Sequence, residues 1–112
     1  MNYLFVFPGQ GSQKVGMGAD LFKNFKQAQL VFEEASDATA LNLKKLCFEG
    51  PDEELKKTFH AQPALLTVSF AIVRILATES DVQPTLLAGH SLGEYSALTA
   101  NGAFSLAKVY LL

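Results

Sequence analysis

The sequence predicts an α/β fold, and three observations predict it. Tyr3-Leu4-Phe5-Val6-Phe7 and Thr85-Leu86-Leu87-Ala88 are short apolar runs that read as buried strands. The chain between them carries helical periodicity and one long apolar stretch. Gly89-His90-Ser91-Leu92-Gly93 comes directly after the second run and leads into helix-forming residues.

A chain of 112 residues allows one domain at most. Hydrophobic residues make up 49% and charged residues 18%, the balance of a packed globular chain and not of a disordered one. The formal net charge is -2, with both signs mixed along the chain and no basic stripe, which excludes a nucleic-acid-binding design. Cys47 is the single cysteine and has no internal disulfide partner. Between Leu46 and Phe48 it reads as a small core residue in a reducing compartment. The two histidines do not stand at ligand spacing from it, so no metal site is expected. Met1 to Phe7 lacks the basic start and long apolar core of a signal peptide. The apolar stretch from Pro63 to Ala77 carries Arg74 and falls short of the roughly 20 residues that span a bilayer. It reads as a buried helix, and a cytoplasmic location is the expectation.

Each element has its own local cause. The first strand is apolar on both faces, as a central parallel strand covered by helices would be, and Pro8-Gly9 stops it. Gly9-Gln10-Gly11-Ser12-Gln13 comes next, with Gly16 and Gly18 soon after. So many glycines beside a strand end let backbone approach a ligand closely, and the amides suit a polar one. The loop is no P-loop, since it lacks a Gly-Lys-Ser/Thr ending, and it lacks the dinucleotide-binding spacing. Its bland alternative is a flexible connector. Helical signals run from Met17 to Phe22, and a second helix from Phe25 to Ala38. In the second, Phe25, Ala28, Phe32 and Ala35 form an apolar stripe, while Lys26, Gln29, Glu33 and Asp37 face away.

Asn42 is placed to cap a short helix holding Leu43, Leu46 and Cys47, which Gly50-Pro51 ends. Asp52-Glu53-Glu54 then opens another short helix, with Lys56-Lys57 at its end. That charge order complements a helix dipole, so the carboxylates read as helix-end electrostatics and not as a general acid and base. His60 reads as a polar loop residue before a helix that Pro63 opens and that runs to about Thr78. Gln62 stands where that helix starts and is placed to reach a cleft. Beyond the second strand, Asn101-Gly102 is a helix stop, and Ser105 caps a last helix. Two strands and several helices do not close a core, so the chain reads as the opening portion of a longer protein.

Gly-x-Ser-x-Gly between an apolar strand and a helix is the pattern of a nucleophile elbow. Gly89 and Gly93 would make room for the turn, and Ser91 would sit at a helix N-terminus. Orphan N–H groups and the positive end of the helix dipole favour negative charge there, which acyl transfer develops. By itself the motif can also be a glycine-rich turn with a capping serine.

Phe5-Val6-Phe7-Pro8-Gly9-Gln10-Gly11-Ser12-Gln13, Gln62-Pro63-Ala64-Leu65 and Gly89-His90-Ser91-Leu92-Gly93-Glu94-Tyr95 together resemble the malonyl-CoA:acyl carrier protein transacylase family. The acyltransferase domains of fatty acid and polyketide synthases are similar. The resemblance runs across the whole chain. It implies part of an α/β-hydrolase-like parallel sheet with covering helices, incomplete without downstream chain. Residues 1–112 would be the N-terminal part of the large subdomain, with a ferredoxin-like small subdomain absent. Ser91 would be the nucleophile, malonylated by malonyl-CoA and relieved of the malonyl group by the phosphopantetheine thiol of acyl carrier protein. The backbone N–H groups of Leu92 and Gln10 would form the oxyanion hole, Gln62 would line the same substrate cleft, and Leu92 would favour malonyl over methyl-branched groups. No cofactor or metal is implied.

The family's base is a histidine far beyond the elbow, and its carboxylate-binding arginine also lies past the elbow. No arginine comes after Ser91 here, and His90, adjacent to the serine in a sharp turn, points elsewhere. The 112 residues alone are therefore expected to be nearly inactive. Two other readings stand beside this one. The first is a non-catalytic truncated product that binds carrier protein or self-associates through exposed apolar surface. The second is a serine esterase, against which the missing His-Gly-Gly-Gly-type loop speaks.

Overall fold

The structure is a computed structural model that describes residues 3–84, 86–89 and 92–100. The elements in order are β1 (Leu4–Phe7), α1 (Ala19–Asn24), α2 (Lys26–Thr39), α3 (Leu43–Glu49), α4 (Asp52–Leu55), α5 (Thr58–Glu79), β2 (Leu86–Gly89) and α6 (Gly93–Ala100). β1 and β2 pair in parallel, with Leu4 opposite Leu86 and Phe7 opposite Gly89. The helices between them form the crossover that a parallel pair requires. The α/β expectation holds, and the sheet has two strands among the described residues.

The core lies between α2 and α5. Of the stripe expected on α2, Ala28, Phe32 and Ala35 face inward together with Val31, whereas Phe25 is the half-buried N-cap and not a helical residue. Phe22, Phe32 and Phe48 pack as a trio with ring centroids 5.2–5.8 Å apart, the separation at which edge-on and tilted aromatic contacts are favourable. Gly18 fits this packing. Its φ of 81° suits glycine, and a Cβ there would stand 3.2 Å from both Phe32 and Val68. Asn42 caps α3 as expected, its side chain accepting from the Lys45 N–H at 3.1 Å. In α4 the charge order is likewise realised as local pairs. Lys56 reaches Asp52 at 3.2 Å, and Lys57 reaches Glu54 at 2.9 Å. The neighbouring Lys57 ammonium, hydrogen-bonded to Glu54, holds that exposed carboxyl below its ordinary pKa.

Two expectations need correction. α5 does not begin at Pro63 but at Thr58, and it is 22 residues long. His60 is therefore helical and not in a loop; its Nδ1 lies 2.8 Å from the Glu54 carbonyl oxygen, which ties α5 back to α4. Pro63 sits inside the helix, where it lacks the N–H that would bond the Phe59 carbonyl. The helix tolerates it because residues on both sides are anchored by burial, Ala61 and Ala64 through Thr67. At this length α5 is long and apolar enough to cross a bilayer, yet Leu65, Leu66, Ala71 and Ile75 on it are buried in the protein's own core.

The second correction concerns β1. Phe7 is buried, but Leu4 is 59% and Val6 68% exposed, and Leu86 beside them is 66% exposed. A separate apolar groove of about 460 Å³ lies between β1 and α5, lined by Phe5, Phe7, Leu65, Val68 and Ile72 among others. The residues that suited a strand covered on both faces are covered here on one.

α6 crosses the ends of both strands. A Cβ on Gly93 would run into the carbonyl oxygen of Phe7 and stand 2.8 Å from the Phe7 carbonyl carbon. Both obstacles are backbone, so no side chain can swing away. The helix expected beyond Asn101-Gly102, with its Ser105 cap, lies outside the described residues.

Gly93→Ala should therefore lower stability by about 1–3 kcal/mol or more, read as a lower denaturant midpoint at an unchanged slope. Cys47 is fully buried, and burial pushes its thiol up to about 12. In the folded protein the thiol should resist a thiolate-selective reagent at pH 8 and react promptly once denaturant unfolds the chain. The unfolded thiol ionises first, so its contribution to stability is intact below pH 9 and is lost as pH rises from there toward 12.

Candidate active site

The parallel register ends β1 and β2 at the same edge of the sheet, where the loop after β1 begins. Phe7 pairs with Gly89, so Pro8-Gly9-Gln10 leaves β1 from a position beside the end of β2. The packing of Gly93 against Phe7 and Pro8 holds the start of α6 against the start of the glycine loop. Ligands of parallel sheets bind at this edge, beyond the carboxyl ends of the strands.

The glycine loop is built as a tight turn. The Ser12 N–H donates to the Gly9 carbonyl at 3.4 Å, and the Ser12 hydroxyl donates to the same oxygen at 2.8 Å. Gly11 takes φ 109°, the positive value that the third turn position demands and that a Cβ would resist. Gln10 precedes it, where the turn makes no use of its N–H. Among the described residues that N–H meets no acceptor. The Gly11 N–H donates to Gln13 Oε1 at 2.7 Å, and the Gly16 N–H donates to the Cys47 carbonyl at 2.7 Å. Hydrogen bonds of this kind make the loop a fixed structure instead of a connector.

Gln10 and Gln62, 52 positions apart, are brought together. Gln62 Nε2 donates to Gln10 Oε1 at 3.4 Å, and Gln10 Nε2 donates to Thr58 Oγ1 at 3.0 Å. Gln62 lies not at the start of its helix but one turn inside α5, on the same face as Thr58. Thr58 is the residue that sequence reasoning missed. It carries no motif of its own, and only the earlier start of α5 puts it beside the loop.

Leu92 is half-buried and begins α6: its carbonyl accepts from the Tyr95 N–H at 2.9 Å and the Ser96 N–H at 3.4 Å. Its own N–H is among those a helix start leaves without an intrahelical partner. Ser91 and His90 lie outside the described residues, between the end of β2 at Gly89 and Leu92. Among the described residues no group of three His, Cys, Asp or Glu is placed to hold a metal.

Comparison with known proteins identifies the family of this fold. Residues 4–111 match the family model of the acyl transferase domain. The chain is 52% identical over 101 residues to the malonyl CoA-acyl carrier protein transacylase of Bacillus subtilis strain 168, covering 90% of this chain and 32% of that protein. It is 49% identical over 105 residues to the Escherichia coli K12 protein of the same name, covering 94% and 34%. Among solved structures, the malonyl CoA-acyl carrier protein transacylase of Coxiella burnetii superposes with a TM-score of 0.95 at 42% identity, over 99% of this chain and 35% of that one. A malonyl-transacylase in complex with its type II PKS acyl-carrier protein superposes with a TM-score of 0.94 at 46% identity, over 99% and 36%. The chain thus spans about a third of the length of the relatives it matches. The family model covers nearly all of its residues and these backbones superpose on its own, so the chain belongs to the acyl transferase domain family.

Proposed function

We propose that this chain carries the nucleophile-bearing portion of a transacylase. The enzyme moves a malonyl group from malonyl-CoA to the phosphopantetheine thiol of acyl carrier protein. The supporting observation is the packing of Gly93 on Phe7 and Pro8, which holds the start of α6 against the Gln10 loop, with Ser91 two positions before Gly93 in the chain. On this reading the segment around Ser91 is a nucleophile elbow.

In the first half-reaction the Ser91 Oγ attacks the thioester carbonyl. The C–O bond forms, the C–S bond breaks, and coenzyme A leaves as the thiol with the serine proton. In the second, the carrier protein's thiol attacks the malonyl ester, and Ser91 recovers its proton as the C–O bond breaks. Each half passes through a tetrahedral oxyanion, for which the N–H groups of Gln10 and Leu92 are the donors. One such donor is worth about 10²–10³ in rate. Gln62 lines the cleft through its contact with Gln10. The proton carrier and the cation for the malonyl carboxylate come from the part of the family's length outside these 112 residues; Arg74 pairs instead with Glu34 at 3.7 Å. A serine without a base is a weak nucleophile.

The 112 residues incubated alone with malonyl-CoA should show almost no malonyl adduct by intact mass. A full-length chimera, in which they replace the matching third of the Bacillus subtilis transacylase, should label stoichiometrically at Ser91 and pass the group to holo acyl carrier protein. Ser91→Ala should abolish both steps. Rapid labelling of the short chain would refute its dependence on the remaining polypeptide. A folded chimera that takes up no malonyl group would refute the transferase reading.

A further inference from the structure

We infer that Thr58 is a positioning residue for the oxyanion loop: its hydroxyl holds the Gln10 side chain and thereby fixes where the Gln10 N–H points. The inference rests on the transacylase reading.

Gln10 lies between Gly9 and Gly11, and Gly11 has φ 109° with nothing within 4 Å of a Cβ built on it. Its backbone therefore has little steric restraint from its neighbours. The turn hydrogen bond from Ser12 to Gly9 spans Gln10 but is long, 3.4 Å. The anchor of Gln10 itself is its carboxamide. Two side chains of α5 bracket it, and the distances rank them. The bond to Thr58 Oγ1 is 3.0 Å, within the ordinary range, whereas that from Gln62 is 3.4 Å, near the outer limit. The hydroxyl is thus the stronger partner.

Thr58 is also not engaged in capping. The N-cap of α5 is Lys57, and Thr58 is the first helical residue. Threonine is a middling helix former, and at an exposed first position nothing local requires it. Its hydroxyl instead joins two segments 48 residues apart. Thr58 is set on the rigid part of the molecule, because α5 is pinned by Ala61, Ala64 and Leu65 directly behind it. Through Gln10 it transfers that rigidity to a glycine-flanked amide. An amide that must meet a developing oxyanion within hydrogen-bonding distance gains most from such an anchor.

The test uses the full-length chimera and single-turnover malonylation of Ser91. Thr58→Val keeps the shape and removes the hydroxyl. It should lower the saturating acylation rate roughly 10- to 100-fold, while the half-saturating malonyl-CoA concentration stays within about twofold. Thr58→Ser should restore the rate. Gln10→Leu, at an exposed position, removes the contact from the other side, and the double variant should be no slower than the slower single variant. In isotope-labelled protein the Gln10 side-chain amide resonances should move in Thr58→Val and return in Thr58→Ser, a readout independent of activity. A Thr58→Val rate within twofold of wild type, or losses that multiply in the double variant, would overturn the inference. An inactive wild-type chimera would overturn the function instead, and the Gln10 resonances would then decide the contact alone.

Discussion

The structure depends on the packing of one glycine against backbone. Gly93 lets the first turn of α6 lie on the carbonyls of Phe7 and Pro8, closer than any side chain permits. Parallel pairing fixes the two strands in register; this contact fixes the segments that leave them. Without it the strands would still end at the same edge, but α6 would be pushed away from the sheet. Carbonyl oxygens of a paired strand cannot rotate aside, so the constraint is steric and not adjustable. The small residue is thus demanded by the approach of a helix to a strand end, which is how glycines at such turns commonly act.

α5 supplies the second fixed surface. Its buried face meets α2, and its exposed N-terminal turn meets the glycine loop through Thr58 and Gln62. The loop is therefore held on three sides: by its own turn, by α5, and by α3 through the Gly16 N–H bonded to the Cys47 carbonyl. Each anchor is a hydrogen bond worth about 1 kcal/mol in net stability. Their value lies in geometry. A segment that must present a backbone donor gains little from more stability and much from fewer conformations.

The apolar surface left on Leu4, Val6 and Leu86 belongs to the same picture. Strands that are apolar on both faces are built for sheets covered on both sides. The described helices cover one and leave Leu4, Val6 and Leu86 on the other exposed. The chain spans about a third of its relatives' length. The core between α2 and α5, by contrast, closes on itself, with Phe32, Leu43 and Leu55 fully buried.

Local chemistry made much of this legible. Apolar runs and glycine stops marked both strands, the stripe through Ala28, Phe32 and Ala35 marked α2, and Asn42 marked the cap of α3. These depend on neighbours within a few residues, so the linear order contains them. The start of α5 did not emerge from that order. A proline suggested the first turn, and buried packing on both sides of Pro63 overrode a preference of a few kcal/mol. The meeting of Gln10 with Thr58 and Gln62 was beyond local reasoning altogether. It arises from the placement of the first turn of α5 beside the loop after β1, and nothing in the residues between them encodes a contact across 48 positions. The sequence by itself thus determined the strands, the stripe of α2 and the glycine-rich segments that follow the strands; the tertiary structure decided which residues touch, because contact is set by packing of whole elements and not by spacing along the chain.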